Sequence, residues 1–214
     1  NAQDTYSYVW TNQNNTIISN NPTADVSVGG IYTVVASYTY PDGTVCQSEP
    51  RNTTVSESII ANIDYDDVTI IDDSDNNTIT INNTGNNLGI GNYEFALGDS
   101  NGGIGFYQDE PYFEYVAPGI HTIYVQDKNN CGVATLEVAV VGFPKFFTPN
   151  NDGENDTWQV RGVSDGFFVN STIYVFDRFG KLIADVDATG IGWDGYYNGK
   201  TLPSDDYWFT AELI

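Results

Sequence analysis

The residues best placed to do chemistry lie in one polar turn, Asn150-Asn151-Asp152-Gly153-Glu154-Asn155-Asp156. Oxygen-bearing side chains at alternate positions about a glycine are the pattern of a calcium loop, in which Gly takes the sixth place. With Gly153 there, Asn150, Asp152 and Asp156 fall at the third, fifth and ninth places, with Asn155 beside them. The first and twelfth places are Thr148 and Gln159, which bring no carboxylate. The match is half a loop, and two readings stand. Asn150, Asp152, Asn155 and Asp156 hold calcium, or these side chains close the turn on its own backbone. A second acidic run, from Asp64-Tyr65-Asp66-Asp67 to Asp72-Asp73-Ser74-Asp75, offers the same choice between a bound cation and solvated carboxylates, without regular ligand spacing.

Catalytic patterns are absent. There is no Gly-x-Ser-x-Gly elbow, and the single His121 has no partner at triad or metal-ligand spacing. Carboxylates are plentiful, but nothing marks a pair for glycoside cleavage. Cys46 and Cys131 occupy equivalent places in separate repeats, so pairing them would require two hairpin tips to meet; two buried free thiols are expected. The sequence therefore predicts no enzyme.

Asp and Glu total 29 against 7 Lys and Arg, a formal charge of −22. Such a surface repels nucleic acid and anionic lipid and stays soluble. Five of the basic residues, Lys145, Arg161, Arg178, Lys181 and Lys200, lie beyond residue 141, which predicts a domain boundary near Gly142. No apolar run has the length of a membrane span. The chain contains no Met and begins at Asn1, so any export signal is expected upstream of it.

The elements that must carry these residues are strands. Tracts such as Tyr32 to Tyr40, Thr78 to Ile81 and Thr172 to Phe176 are β-branched or aromatic, and none shows helical spacing. A weak repeat aligns Gly30-Ile31-Tyr32-Thr33-Val34-Val35 with Gly119-Ile120-His121-Thr122-Ile123-Tyr124, each followed by a hairpin turn, a Cys and a further strand. His121 thus stands where the first copy has Tyr32, as a packing or surface residue. Alternation in Tyr6, Tyr8 and Trp10 puts Trp10 on a core face. Strands are expected at Tyr93 to Phe95 and Tyr112 to Val116. The repeat divides the chain into modules at 1–58 and 59–141, followed by 142–214, with strands at sandwich-like spacing. In the last part a strand, polar turn and strand are expected over Phe143 to Trp158, then a hairpin with its tip at Asp177 to Lys181. A type I′ turn is expected at Asn198-Gly199, and a final strand from Tyr207 to Leu213.

Two resemblances give these modules a family. Tyr93-Glu94-Phe95-Ala96-Leu97, Phe113, Val116, Pro118-Gly119 and Val125-Gln126-Asp127-Lys128-Asn129-Asn130-Cys131 resemble the immunoglobulin-like repeats of large bacterial adhesins linked to gliding motility. The first module is immunoglobulin-like on the repeat alone. The expected fold is all-β, as tandem immunoglobulin-like β-sandwich modules. Residues 142–214 resemble the gliding-motility-associated C-terminal domain, the type B sorting domain of the type IX secretion system. The motif residues are Phe147, Pro149, Asn150, Asp152, Gly153, Asp156, then Asp177, Arg178, Gly180, then Trp193, Asp194, Gly195, Asn198 and Gly199. That resemblance implies protein transport across the outer membrane and attachment at the bacterial cell surface. It implies as partners the type IX translocon and an outer-membrane β-barrel of the PorP/SprF kind. The family usually continues beyond the strand ending near Leu213 into a further strand, whereas this sequence stops at Ile214. Within the motifs, Trp193 is expected in the core, and Arg178 either stacks on an aromatic ring or pairs with Asp194.

Two functions fit. One is the C-terminal region of a secreted surface adhesin, with a sorting domain behind stalk or spacer modules. The other is a carbohydrate-binding or adhesive β-sandwich whose exposed aromatics stack on sugar rings.

Overall fold

The computed structural model describes residues 5–98 and 102–214. The protein is nearly all β, and its only helical segment among those residues is one 3-10 turn, Tyr65–Asp67. It divides into two compact units, Asn1–Ser58 and Ile59–Ile214.

The first unit is one sheet. Its strands are β1 (Thr5–Thr11), β2 (Ile17–Ser19), β3 (Gly30–Thr39), β4 (Val45–Gln47) and β5 (Arg51–Val55). The order is β2-β1-β3-β4, with β5 also paired to β3. The β3–β4 turn is closed by Pro41-Asp42-Gly43: Gly43 N donates to Tyr40 O at 2.9 Å, and Thr44 N to the Asp42 carboxylate at 2.9 Å. Trp10 is half-buried, its Nε1 donating to Asn21 O at 3.2 Å. Tyr32 is the one buried apolar residue among the described residues of this unit.

The second unit begins with two facing sheets. One contains β6 (Val68–Ile71), β7 (Thr78–Ile81) and β9 (Tyr112–Phe113); the other contains β8 (Tyr93–Gly98), β10 (Gly119–Asp127) and β11 (Val133–Val140). The alternation along β7, β8 and β10 sends Ile79, Ile81, Phe95, Ile123 and Val125 into one core between them. Fully burying side chains of this size stabilises by about 1.5–3 kcal/mol each. The strand expected from Tyr112 to Val116 is only two residues long, and Tyr115 beyond it takes a positive φ of 53°.

The acidic run at its start is used for backbone caps. Asp64 accepts from Asp66 N at 2.9 Å, and the Asp67 carboxylate accepts from Asp64 N at 2.9 Å, a reciprocal capping box on the 3-10 turn. Asp72 accepts from Val141 N at 2.9 Å.

A second core lies immediately beyond. Val140 belongs to the first core and Val141 to the second, which also holds Trp158, Val160, Ile173, Val175, Val186 and Trp193. Around it run β12 (Thr172–Phe176), β13 (Leu182–Asp187), the short hairpin β14 (Tyr196–Tyr197) and β15 (Lys200–Thr201), and β16 (Trp208–Glu212). The sheet order is β13-β12-β16. The strands expected over Phe143 to Trp158 do not form. Pro144 and Pro149 remove backbone donors from that segment, and Trp158 keeps a single bridge to Trp193, with N···O distances of 2.8 and 2.9 Å.

Candidate functional site

The polar turn is held by its own side chains. One Asp156 carboxylate oxygen accepts from Asn150 N at 3.0 Å and Asn151 N at 2.6 Å, and the other accepts from Gly153 N at 2.8 Å. Asp152 accepts from Glu154 N and from the Asn150 amide, both at 2.8 Å, and its own N donates back to Asn150 Oδ1 at 3.1 Å. The Glu154 N–H and the Asn150 amide hold the Asp152 carboxyl below the usual carboxylate range. Asn155 contributes through its backbone, its carbonyl accepting from Thr148 N at 2.7 Å. Among the described residues no group of three or more His, Cys, Asp and Glu is placed to hold a metal ion.

The turn leads into an aromatic assembly. Phe147 packs on Trp193 at 5.3 Å between ring centres, and Trp193 meets Tyr207 edge-on at 5.0 Å. Trp158 packs on Phe209 at 4.9 Å, and Phe209 on Phe143 at 4.7 Å. Both buried indoles are satisfied: Trp158 Nε1 donates to Pro144 O at 2.8 Å and Trp193 Nε1 to Tyr196 O at 3.1 Å. Trp193 is a core residue, 6% exposed.

Gly195 explains why the turn and the Trp193 segment meet. It has φ +79°, and a Cβ there would lie 3.3 Å from both Phe147 Cε2 and Pro149 Cγ. Asp194 orients the same corner by accepting from Tyr196 N at 3.0 Å. The following hairpin turns on Asn198 and Gly199, whose φ values of 49° and 74° are both positive, as a type I′ turn requires.

The β12–β13 hairpin joins from the side. Its tip is closed by Asp177, which accepts from Phe179 N at 2.8 Å and Lys181 N at 3.0 Å, with Gly180 at φ +79°. Arg178 stacks over Phe179 at 5.0 Å and pairs with Asp205 at 3.4 Å, so its acidic partner is Asp205 and not Asp194. Lys181 Nζ sits 4.3 Å above the Tyr197 ring. Burial pushes the Tyr207 phenol up, helped by Asp205 and Asp177 nearby. The three motif segments thus pack against one another.

Beside them opens a cleft of about 710 Å³. Its walls include Phe143, Phe147, Trp158, Trp193 and Tyr207, and its rim includes Asp205, Asp206 and the 67%-exposed Trp208. Sequence reasoning did not single out Trp208 or Asp205. The alternation of Tyr207 with Phe209 would have placed Trp208 on the outer face.

The remaining candidates are structural. His121 is half-buried, with Nε2 2.6 Å from Ala117 O and Nδ1 3.2 Å from Gly98 O. Cys46 and Cys131 form no disulfide with each other and are exposed, not buried as expected, because neither lies on a core position. Asp127, a charged residue with no burial signal in its neighbours, is 0% exposed and accepts from Asn129 N and Cys131 N, both at 3.1 Å, holding the β10–β11 turn.

No curated protein matches the chain. Among solved structures, fibronectin(III)-like modules of Clostridium thermocellum CbhA are similar at 17% identity and a TM-score of 0.27, covering 64% of this chain and 78% of that one. A tetra-tandem repeat from the extending region of a large adhesion protein is similar at 16% identity and a TM-score of 0.25. It covers 89% of this chain, which spans 58% of that one. A family model matches over residues 141–213, the segment that holds the polar turn, the Arg178 hairpin and the Trp193 corner. The family is of a non-catalytic kind, a signal for export by the type IX secretion machinery. Residues 141–213 match the model of the CHU_C type IX secretion signal domain.

Proposed function

We propose that the chain is the C-terminal region of a secreted cell-surface adhesin, in which residues 142–214 direct export across the outer membrane and the modules at 1–58 and 59–141 act as stalk or spacer. The observation that carries this reading is the family match over residues 141–213, a segment in which the three motifs pack together. The docking partners are then the type IX translocon and an outer-membrane β-barrel of the PorP/SprF kind, which holds the protein at the surface of a gliding bacterium. The spacer role is supported by the repeat: Tyr32 and His121, equivalent in sequence, each reach the carbonyl four residues earlier at 2.6 Å. The chain has no catalytic part in this scheme.

A reporter fusion tests it. Residues 141–214, with any native residues that follow, are placed behind an export signal and a fluorescent protein in a host with the type IX system. Surface display that disappears when the translocon is deleted is the expected result. A reporter retained in the periplasm would show that the domain is not sufficient.

A second reading is favoured by the aromatic cleft with Trp208 on its rim, which suits stacking on sugar rings. Glycan-array binding by the full chain that is lost in Trp208→Ala would support it.

A further inference from the structure

We infer that the aromatic cleft beside Trp208 takes a cationic glycan, an oligosaccharide of free amino sugars, with sugar rings stacked on its rim and ammonium groups held by its carboxylates. This goes further than the glycan reading of the cleft, on which it rests, by naming the sugar class.

The alternation of β16 supplies the stacking surface. Phe209 turns onto Phe143 and Trp158, with ring centres 4.7 and 4.9 Å away, so its neighbour Trp208 holds its ring in solvent, 67% exposed. Phe146 stands out in the same way, 70% exposed. Both line the cleft, and neither belongs to the core beneath it. The cleft lies wholly within the second unit. Its 710 Å³ falls in the usual range of ligand sites, roughly 300–1,000 Å³.

Charge selects among sugars. Three carboxylates line the cleft, Asp73, Asp205 and Asp206, against one ammonium, Lys145. Lys145 is paired with Asp75, which does not line it, at 3.2 Å. Asp205 is offset by Arg178 at 3.4 Å. Asp73 and Asp206 have no cationic partner among the described residues, and Asp206 precedes Trp208 by only two positions. An amino sugar meets these carboxylates with N–H donors that carry charge, and so adds a Coulomb attraction that a hydroxyl lacks. The aromatic rings favour the same ligand, because their negative faces attract a cation held over them. Acidic glycans are repelled by the cleft and by the formal charge of −22 on the whole chain, which also gathers cations at long range.

Three hexasaccharides that share one backbone and differ only at the second carbon isolate the amine: those of glucosamine, of N-acetylglucosamine and of glucose (cellohexaose). Binding to the 214-residue chain is read by calorimetry at about pH 6, where the sugar amines are protonated. The glucosamine hexamer is expected to bind about fivefold to tenfold more tightly than the two neutral ones, the worth of two or three exposed ion pairs, and about 0.5 M salt should erase the difference. Trp208→Ala should weaken all three. Asp73→Asn combined with Asp206→Asn should bring the glucosamine hexamer down to the affinity of cellohexaose. Cellohexaose binding itself should not change, which also shows that the variant is folded; Asn accepts the positive φ of 47° at Asp73. Equal binding of the three hexamers overturns the inference and leaves the glycan reading standing. Binding of none of them overturns both. Hexalysine that displaces the glucosamine hexamer with equal affinity, and does so unchanged in Trp208→Ala, would make the cleft a bare charge patch and overturn the inference as well.

Discussion

Replacing Asp156 separates a turn held by its own side chain from one that awaits a cation. Its two carboxylate oxygens accept three backbone N–H groups, from Asn150, Asn151 and Gly153, at 2.6–3.0 Å. The loop is largely exposed, so water replaces part of each lost bond. At about 1 kcal/mol per bond, Asp156→Ala is expected to cost about 2–3 kcal/mol. Asp156→Asn keeps one oxygen for Asn150 and Asn151 but turns an NH₂ toward Gly153 N, and should cost about 1–2 kcal/mol. Urea unfolding followed by tryptophan fluorescence reads this directly, since Trp158 lies just beyond the turn in the second core. Calcium and EDTA should leave the midpoint of the parent protein unchanged. An alanine variant within about 0.5 kcal/mol of the parent would refute the self-bonded turn, that being the scatter of neutral surface changes. A calcium-dependent rise in the midpoint that Asp156→Ala abolishes would also refute it, and would install the metal loop.

Two further tests address neighbouring residues. Gly195→Ala should destabilise the C-terminal core by about 2 kcal/mol in the same urea assay, because a left-handed φ costs roughly 1–2 kcal/mol for an L side chain and its Cβ would press on Phe147 and Pro149; no measurable loss would mean that the corner can open freely. For Asp152, whose folded pKa is lowered from 3.8, the sign follows from linkage. Its contribution to stability is fully present above the ordinary carboxylate pKa and is lost as pH falls through the lowered folded value. Asp152→Asn should therefore flatten the acid limb of stability against pH, and carbon-detected NMR of the Asp152 carboxyl should titrate below the ordinary range; a normal midpoint would refute the bonding described.

Local chemistry was legible in the sequence where a residue acts on its own neighbours. Asn198-Gly199, Gly180 and Asp177 form turns because left-handed conformations and short side-chain bonds are properties of a few adjacent residues. The repeat was legible for a similar reason: Tyr32 and His121 do the same local work with different atoms. The motifs of the last third were legible as a resemblance to a known family, and the family match covers the segment that contains them. What could not be read depends on distant partners. Arg178 finds Asp205, and not the Asp194 of its neighbouring motif, because the β14–β15 hairpin brings the later segment round. Phe143 to Trp158 was expected to be a strand, a polar turn and a strand, yet its prolines and its aromatic contacts with Phe209 and Trp193 make it a packed loop. Alternation in β1 identified one apolar face but carried no information about what lies over it.

The absence of any spacer between the two cores of the second unit has a mechanical consequence. Val140 closes one core and Val141 opens the next. Gly142 exchanges backbone bonds with Arg161 at 3.2 and 2.9 Å, while Asp72 grips Val141 N at 2.9 Å and Asp73 N reaches Val141 O at 3.1 Å. A pull applied through the last domain would be transmitted straight into β11 without slack. It would load these four bonds together with the ladder between β10 and β11. Under such a load the two cores would resist force as one piece until β11 gave way.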